Sequence, residues 1–148
     1  MNQKKSNIIL YLILIFAIIG LLSSVYLTNL HYKTESTDTI CDINTKVSCT
    51  NLAQSKYSNF AGIPIAILGI LGYLSFLALT TALFFNPKNS LLKKSLFTLA
   101  SIAAVFTFYL IFVEFNIGIF CLGCLVSQIS TVAILILSYA LYKSTIHK

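Results

Sequence analysis

Four apolar stretches constrain this chain more than any other feature: about Asn7 to Leu30, Gly62 to Phe85, Ser95 to Gly118 and Cys121 to Tyr142. Each supplies the roughly 20 helical residues that a bilayer crossing takes. They use most of a 148-residue chain that is 57% apolar and 9% charged, with no Trp and no Arg, a balance foreign to soluble domains. The expectation is an all-α membrane protein. It is one domain over residues 1–148, a four-transmembrane-helix bundle with a single sizeable loop at residues 31–61. Lys4 and Lys5 precede the first stretch as in a secretory signal, but no small-residue cleavage pattern follows, so it reads as a retained helix.

Cytoplasmic loops carry the excess of positive charge beside helix ends. Lys4, Lys5, Lys88, Lys93, Lys94, Lys143 and Lys148 form the larger set; Lys33, Lys46 and Lys56 share the first loop with Glu35, Asp38 and Asp42. Both termini are therefore expected in the cytoplasm and the first loop outside, in a bacterial cytoplasmic (inner) membrane. The net charge of +6 is accounted for in this way and needs no nucleic-acid partner.

Within the loop, Leu52, Ala53, Tyr57 and Phe60 recur at near-helical spacing, which predicts a short amphipathic helix against the membrane surface. Gly62 and Pro64 fit the first turn of the second helix, where a missing N–H costs nothing. Gly62, Ala66, Gly69 and Gly72 or Tyr73 then make a small-residue face for close packing. Asn86-Pro87 ends that helix, and NPKNSLLKK forms a tight loop into the third, which stops near Asn116 and Gly118.

The chemistry lies in the cysteines. Cys41 and Cys49 stand in the first loop, and Cys121 and Cys124 open the fourth helix as CLGC, so the topology drawn from lysines alone puts all four on the outer side. Disulfides persist in that compartment. A CxxC at a helix start sets its first thiol near the positive end of the helix dipole, which favours the reactive thiolate. Cys121 is expected to be the more exposed thiol and Cys124 the deeper one. Cys121, Cys124, Gln128 and Thr131 follow at intervals of three, four and three, a polar stripe that should face the bundle interior. Two plainer readings compete: inert disulfides or buried thiols, and a four-sulfur metal site. The metal site fits poorly, because Cys41 and Cys49 lie eight residues apart on a loop.

The marks CDINTKVSC, Ser55 six residues after Cys49, FAGIPIAILGILGY and CLGC together resemble the vitamin K epoxide reductases and their bacterial homologues, over nearly the whole chain. That resemblance implies a four-helix bundle coupling disulfide formation to reduction of a quinone, menaquinone or ubiquinone. It implies that Cys41 meets a partner's thiol, Cys49 attacks the CxxC at Cys121, and Cys124 faces the quinone, a series of thiol exchanges. Ser55 occupies the position of the family's serine near the active site; Ser58 or Asn59 lies where a polar side chain can hydrogen-bond a quinone carbonyl. Gln128 stands where the animal enzymes have a tyrosine, so quinone reduction rather than epoxide reduction is the expectation. Many bacterial relatives carry a fused thioredoxin-like domain, and this chain stops at Lys148, so a separate thioredoxin-fold (DsbA-like) partner is implied. The spaced cysteine pair preceding the CxxC separates this pattern from a DsbB-type oxidase, which has the opposite order. A quinol-fed reductase would use the same residues, and a non-enzymatic scaffold with a stapled outer loop is the rival of a different class.

Glu114 is an acid at membrane depth and so a candidate to handle protons, although its place near the end of the third helix favours an interfacial, solvated carboxylate. His31 and His147 read as surface residues. Tyr26, Tyr57, Tyr73, Tyr109 and Tyr142 read as headgroup-level anchors.

Overall fold

The computed structural model describes residues 3–32, 42, 47–53, 55, 58–60 and 62–146. Cys41, Tyr57, His147 and Lys148 lie outside the described residues, as do Lys33, Glu35, Asp38, Lys46 and Lys56. Four helices are long and apolar enough to cross a membrane: α1 (Gln3–Tyr32), α3 (Ile65–Phe85), α4 (Ser90–Ile117) and α5 (Leu122–Ile146). Between α1 and α3 lie a single turn of helix, α2 (Cys49–Ala53), and a two-stranded antiparallel hairpin of β1 (Asn59–Phe60) and β2 (Ile63–Pro64).

The bundle is apolar outside and partly polar within. Val105, Phe108, Phe112 and Phe115 line the outer face of α4, each at least two-thirds exposed, while Ser24, Thr80, Thr107, Glu114, Gln128, Thr131 and Ser138 are buried. In lipid an apolar exterior costs nothing, and inward polar groups find partners only in one another and in the backbone. Helix α1 packs against α5 and α3, and α4 packs against α5 with a smaller contact to α3. The core beneath is made by Leu10, Ile13, Phe76, Leu83, Leu96 and Ile134.

Several boundaries differ from the sequence reading for local reasons. The third spanning helix begins at Ser90 rather than Ser95, because the Asn89 side chain accepts the Leu91 N–H at 3.0 Å and caps it, drawing Lys93 and Lys94 into the first turns. Gly62 and Pro64 are not in a helical turn: Gly62 takes φ +84 in the hairpin bend, and Pro64 pairs with Asn59 and sits as the N-cap of α3. The amphipathic helix is only α2, and Phe60 belongs to a strand. At the other end of α4, Gly118 adopts φ +70 and its N–H bonds the Glu114 carbonyl at 2.9 Å, which stops the helix and turns the chain toward α5.

Tyr73 is not a headgroup anchor. It is buried, its hydroxyl donating to the Ser127 carbonyl at 2.7 Å and lying 2.9 Å from both the Ser127 and Thr131 hydroxyls, which ties α3 to α5. Only glycine fits opposite, since a Cβ at Gly20 would run into the Tyr73 ring. Tyr73→Phe is expected to cost about 1 kcal/mol, the scale of an interhelical hydrogen bond in a membrane. Gly20→Leu should cost more, because the ring must move; unfolding midpoints in mixed micelles test both.

Candidate redox site at the loop end of the bundle

The last residue before α5 is Cys121, and it acts as that helix's N-cap. Its carbonyl accepts the Leu125 N–H at 3.0 Å, and its sulfur accepts the Cys124 N–H at 3.2 Å, as a capping oxygen would. The loop is laid across this helix start by backbone. Val47 bridges Phe120 in parallel register, and the Ser48 N–H bonds the Phe120 carbonyl at 3.1 Å. The next residue, Cys49, begins α2. Asp42 holds that turn from below: its carboxylate takes the Thr50 N–H at 3.2 Å and the Thr50 hydroxyl at 2.6 Å.

The consequence is a sulfur pair. Cys121 Sγ lies 2.9 Å from Cys49 Sγ, longer than the ~2.05 Å disulfide bond and slightly shorter than the ~3–3.5 Å of a near-attack arrangement. Cys49 is disulfide-bonded, whereas Cys121 and Cys124 are free thiols. Cys49 and Cys121 are both 0% exposed, packed among Leu27, Leu30, Leu52 and Ala66. The expected order of exposure is therefore reversed: the loop folds over Cys121 and seals it, while Cys124 is half-buried and opens onto a cavity.

That cavity has a volume of about 460 Å³, within the ~300–1,000 Å³ usual for small-molecule sites. Its walls are mainly apolar, with Leu27, Ile65, Leu68, Phe76, Phe106 and Leu110 among them. The few polar groups come from all four spanning helices and the loop: Ser24 and His31 of α1, Tyr73 of α3, Thr107 and Glu114 of α4, Cys124, Ser127, Gln128 and Thr131 of α5, and Ser55 and Ser58 from the loop. The stripe on α5 thus faces the interior. Gly69 and Gly72 give the α3 wall its room, and a Cβ at Gly69 would lie 2.7 Å from Ser24 Oγ.

Glu114 is 4% exposed, not solvated as its position near the helix end suggested. The chain turns back at Gly118 and brings α5 alongside, so that Gln128 Nε2 donates to Glu114 Oε1 at 3.1 Å, and Cys124, one turn before Gln128, opens onto the same cavity as the carboxylate. His31 is likewise no plain surface residue, being half-buried at the cavity wall. Ser55 and Ser58 line the cavity, but their hydroxyls already donate to backbone, to the Leu52 carbonyl at 2.7 Å and the Ser55 carbonyl at 2.8 Å. Their oxygens can still accept, yet as they stand they cannot donate to a carbonyl. Asn59 is exposed on the hairpin and is not part of the cavity wall, because its strand pairing with Pro64 carries it away. Tyr73 and Ser127 are cavity residues that sequence reasoning missed. Tyr73 follows Gly69 by four residues on a face already assigned to packing, the one available signal.

A membrane-spanning bundle that presses a CxxC thiol against a disulfide-bonded loop cysteine, with an apolar cavity behind the second thiol, is built for redox chemistry at cysteine. The chain belongs to the vitamin K epoxide reductase family, whose profile matches residues 11–139. Members of that family are generally oxidoreductases. No curated protein matches the chain in sequence.

The apposition has a direct chemical consequence. In a chain carrying both Cys41→Ser and Cys124→Ser, mild oxidation should join Cys49 to Cys121, detected by mass spectrometry as one cross-linked peptide pair. Separate alkylation of both residues after oxidation would mean that the sulfurs do not meet.

Proposed function

We propose that this protein is a quinone-dependent thiol oxidoreductase that reoxidises a separate thioredoxin-fold (DsbA-like) partner and so drives disulfide formation in exported proteins. The observation that carries this reading is the 2.9 Å separation of Cys121 Sγ and Cys49 Sγ. Family membership and the cavity beside Cys124 support it.

The relay is a sequence of balanced exchanges. A thiolate of the reduced partner attacks Cys41 of a Cys41–Cys49 disulfide, and the partner's second thiol resolves the mixed bond, leaving both loop cysteines reduced. Cys49 then attacks Cys121 of a Cys121–Cys124 disulfide, and Cys124 departs as thiolate. Cys41 attacks Cys49, restores the loop disulfide and frees Cys121. The free Cys121 and Cys124 beside a disulfide-bonded Cys49 correspond to the state reached at that point. During exchange, charge gathers on Cys121 sulfur, where the Cys124 N–H is already aimed.

A quinone accepts two electrons and two protons and leaves as a quinol, and the donor set fits such a molecule. The cavity is apolar, has a free thiol in its wall and offers few polar groups. Cys124 faces it, and Gln128, one of whose two amide N–H groups is engaged with Glu114, has a second to offer a carbonyl oxygen. Ser55 and Ser58 border the same space and hold the loop that closes it. The lysines at the opposite end of the bundle support a bacterial cytoplasmic membrane location, both termini inside and the redox site outside.

The test is oxidation of a reduced thioredoxin-fold protein by the purified chain with menaquinone or ubiquinone. Cys121→Ser and Cys124→Ser should each abolish turnover, and Cys49→Ser should abolish it with a protein donor. Full activity in the cells that need this protein, with both CxxC thiols replaced, would instead indicate a structural membrane component.

A further inference from the structure

Glu114 is the only acidic residue within the four spanning segments. It is buried at 4% exposure, where an acid is expensive unless it is used. Packing does not require it, since Gln or Leu would fill similar space. Among the described residues no lysine offsets it: Lys4, Lys5, Lys88, Lys93, Lys94 and Lys143 all sit at the far end of the bundle. Its hydrogen-bond partner is neutral, the Gln128 amide at 3.1 Å, and the Cys124 thiol, one turn before Gln128 on α5, lines the same cavity. Among the described residues, the titratable groups facing this region are His31 from α1, Tyr73 from α3 and Cys121 and Cys124 at the start of α5, Cys49 of α2 being held in a disulfide.

We propose that Glu114 takes the proton of the Cys124 thiol when the CxxC is oxidised, with Gln128 holding its carboxylate toward the sulfur. This rests on the quinone-linked reading above and assigns it a proton acceptor. Oxidation of the pair releases two electrons and two protons, and Cys124 faces an apolar cavity rather than bulk water. The Cys124 S–H bond breaks and its proton passes to a carboxylate oxygen of Glu114. An S–S bond forms between Cys121 and Cys124 as the second thiol gives up its proton. The electron pair and both protons are what a quinone takes to become a quinol, and Glu114, having passed its proton on, ends ionised as it began. Gln128 is here a positioning residue: its N–H fixes one carboxylate oxygen, leaving the other for the thiol.

Two measurements on the detergent-solubilised full chain decide this. In the first, without quinone, the reduced chain is alkylated with N-ethylmaleimide across a pH series, and the rate at Cys124 is read by mass spectrometry. Glu114→Gln should displace that pH profile. In the second, quinone reduction should fall on the order of 100-fold in Glu114→Gln, the scale of losing a general base, with Glu114→Asp recovering part of the loss. An unchanged Cys124 profile, or wild-type quinone turnover in Glu114→Gln, overturns the assignment. Should Glu114→Gln fail to fold, Glu114→Asp carries both measurements: a displaced profile with reduced turnover supports the assignment, and wild-type values overturn it. A wild-type chain inactive with every quinone would defeat the proposed function alone, since the alkylation arm needs no quinone and still decides whether Glu114 and Cys124 share a proton.

Discussion

The site depends on the seam between the loop and the start of α5. One backbone hydrogen bond, Ser48 N–H to the Phe120 carbonyl, and the adjoining Val47–Phe120 bridge fix the loop against the residue preceding Cys121. From there the placement of Cys49 follows with little freedom, because it is the next residue after Ser48 and the first of a helical turn whose amide Asp42 caps. A pair of sulfurs 2.9 Å apart is therefore produced by backbone register rather than by side-chain packing alone. Thiol exchange needs close approach and alignment, and a rigid seam supplies both without ordering the sulfurs anew in each cycle.

The bilayer sets the terms for everything below that seam. Its hydrocarbon lets Phe108, Phe112 and Val105 face outward and forces Tyr73, Ser127, Thr131, Gln128 and Glu114 to satisfy one another. The Tyr73 network, at Ser127 and Thr131, and the Glu114–Gln128 pair both follow Cys124 within two turns of α5, so polar bonds that join helices also shape the cavity wall. Glycine opposite the Tyr73 ring, and glycines where α3 borders the cavity, let large rings and open space coexist in a small bundle.

Much was legible in the chain itself. Four spans, the orientation of the α5 stripe and the placement of the CxxC at a helix start all rest on local rules, namely length, periodicity and capping, which involve residues within a turn or two. The positions of Asn59, His31 and Tyr73 were not legible, and neither was the burial of Glu114. Each depends on what an element distant in sequence lays beside it: the hairpin removes Asn59, α3 receives α5 against Tyr73, and the Gly118 turn closes Gln128 over Glu114.

By itself the sequence determined that the chain spans a membrane four times and carries a CxxC at the head of its last helix, because hydrophobic length and helix capping are properties of contiguous residues. Tertiary structure alone decided which thiol is sealed and which opens onto the cavity, and which acid shares that cavity with the open thiol. Cys49 and Cys121 are 72 residues apart, as Glu114 and Gln128 are 14, and only the packing of α5 against the loop and α4 turns those separations into contacts.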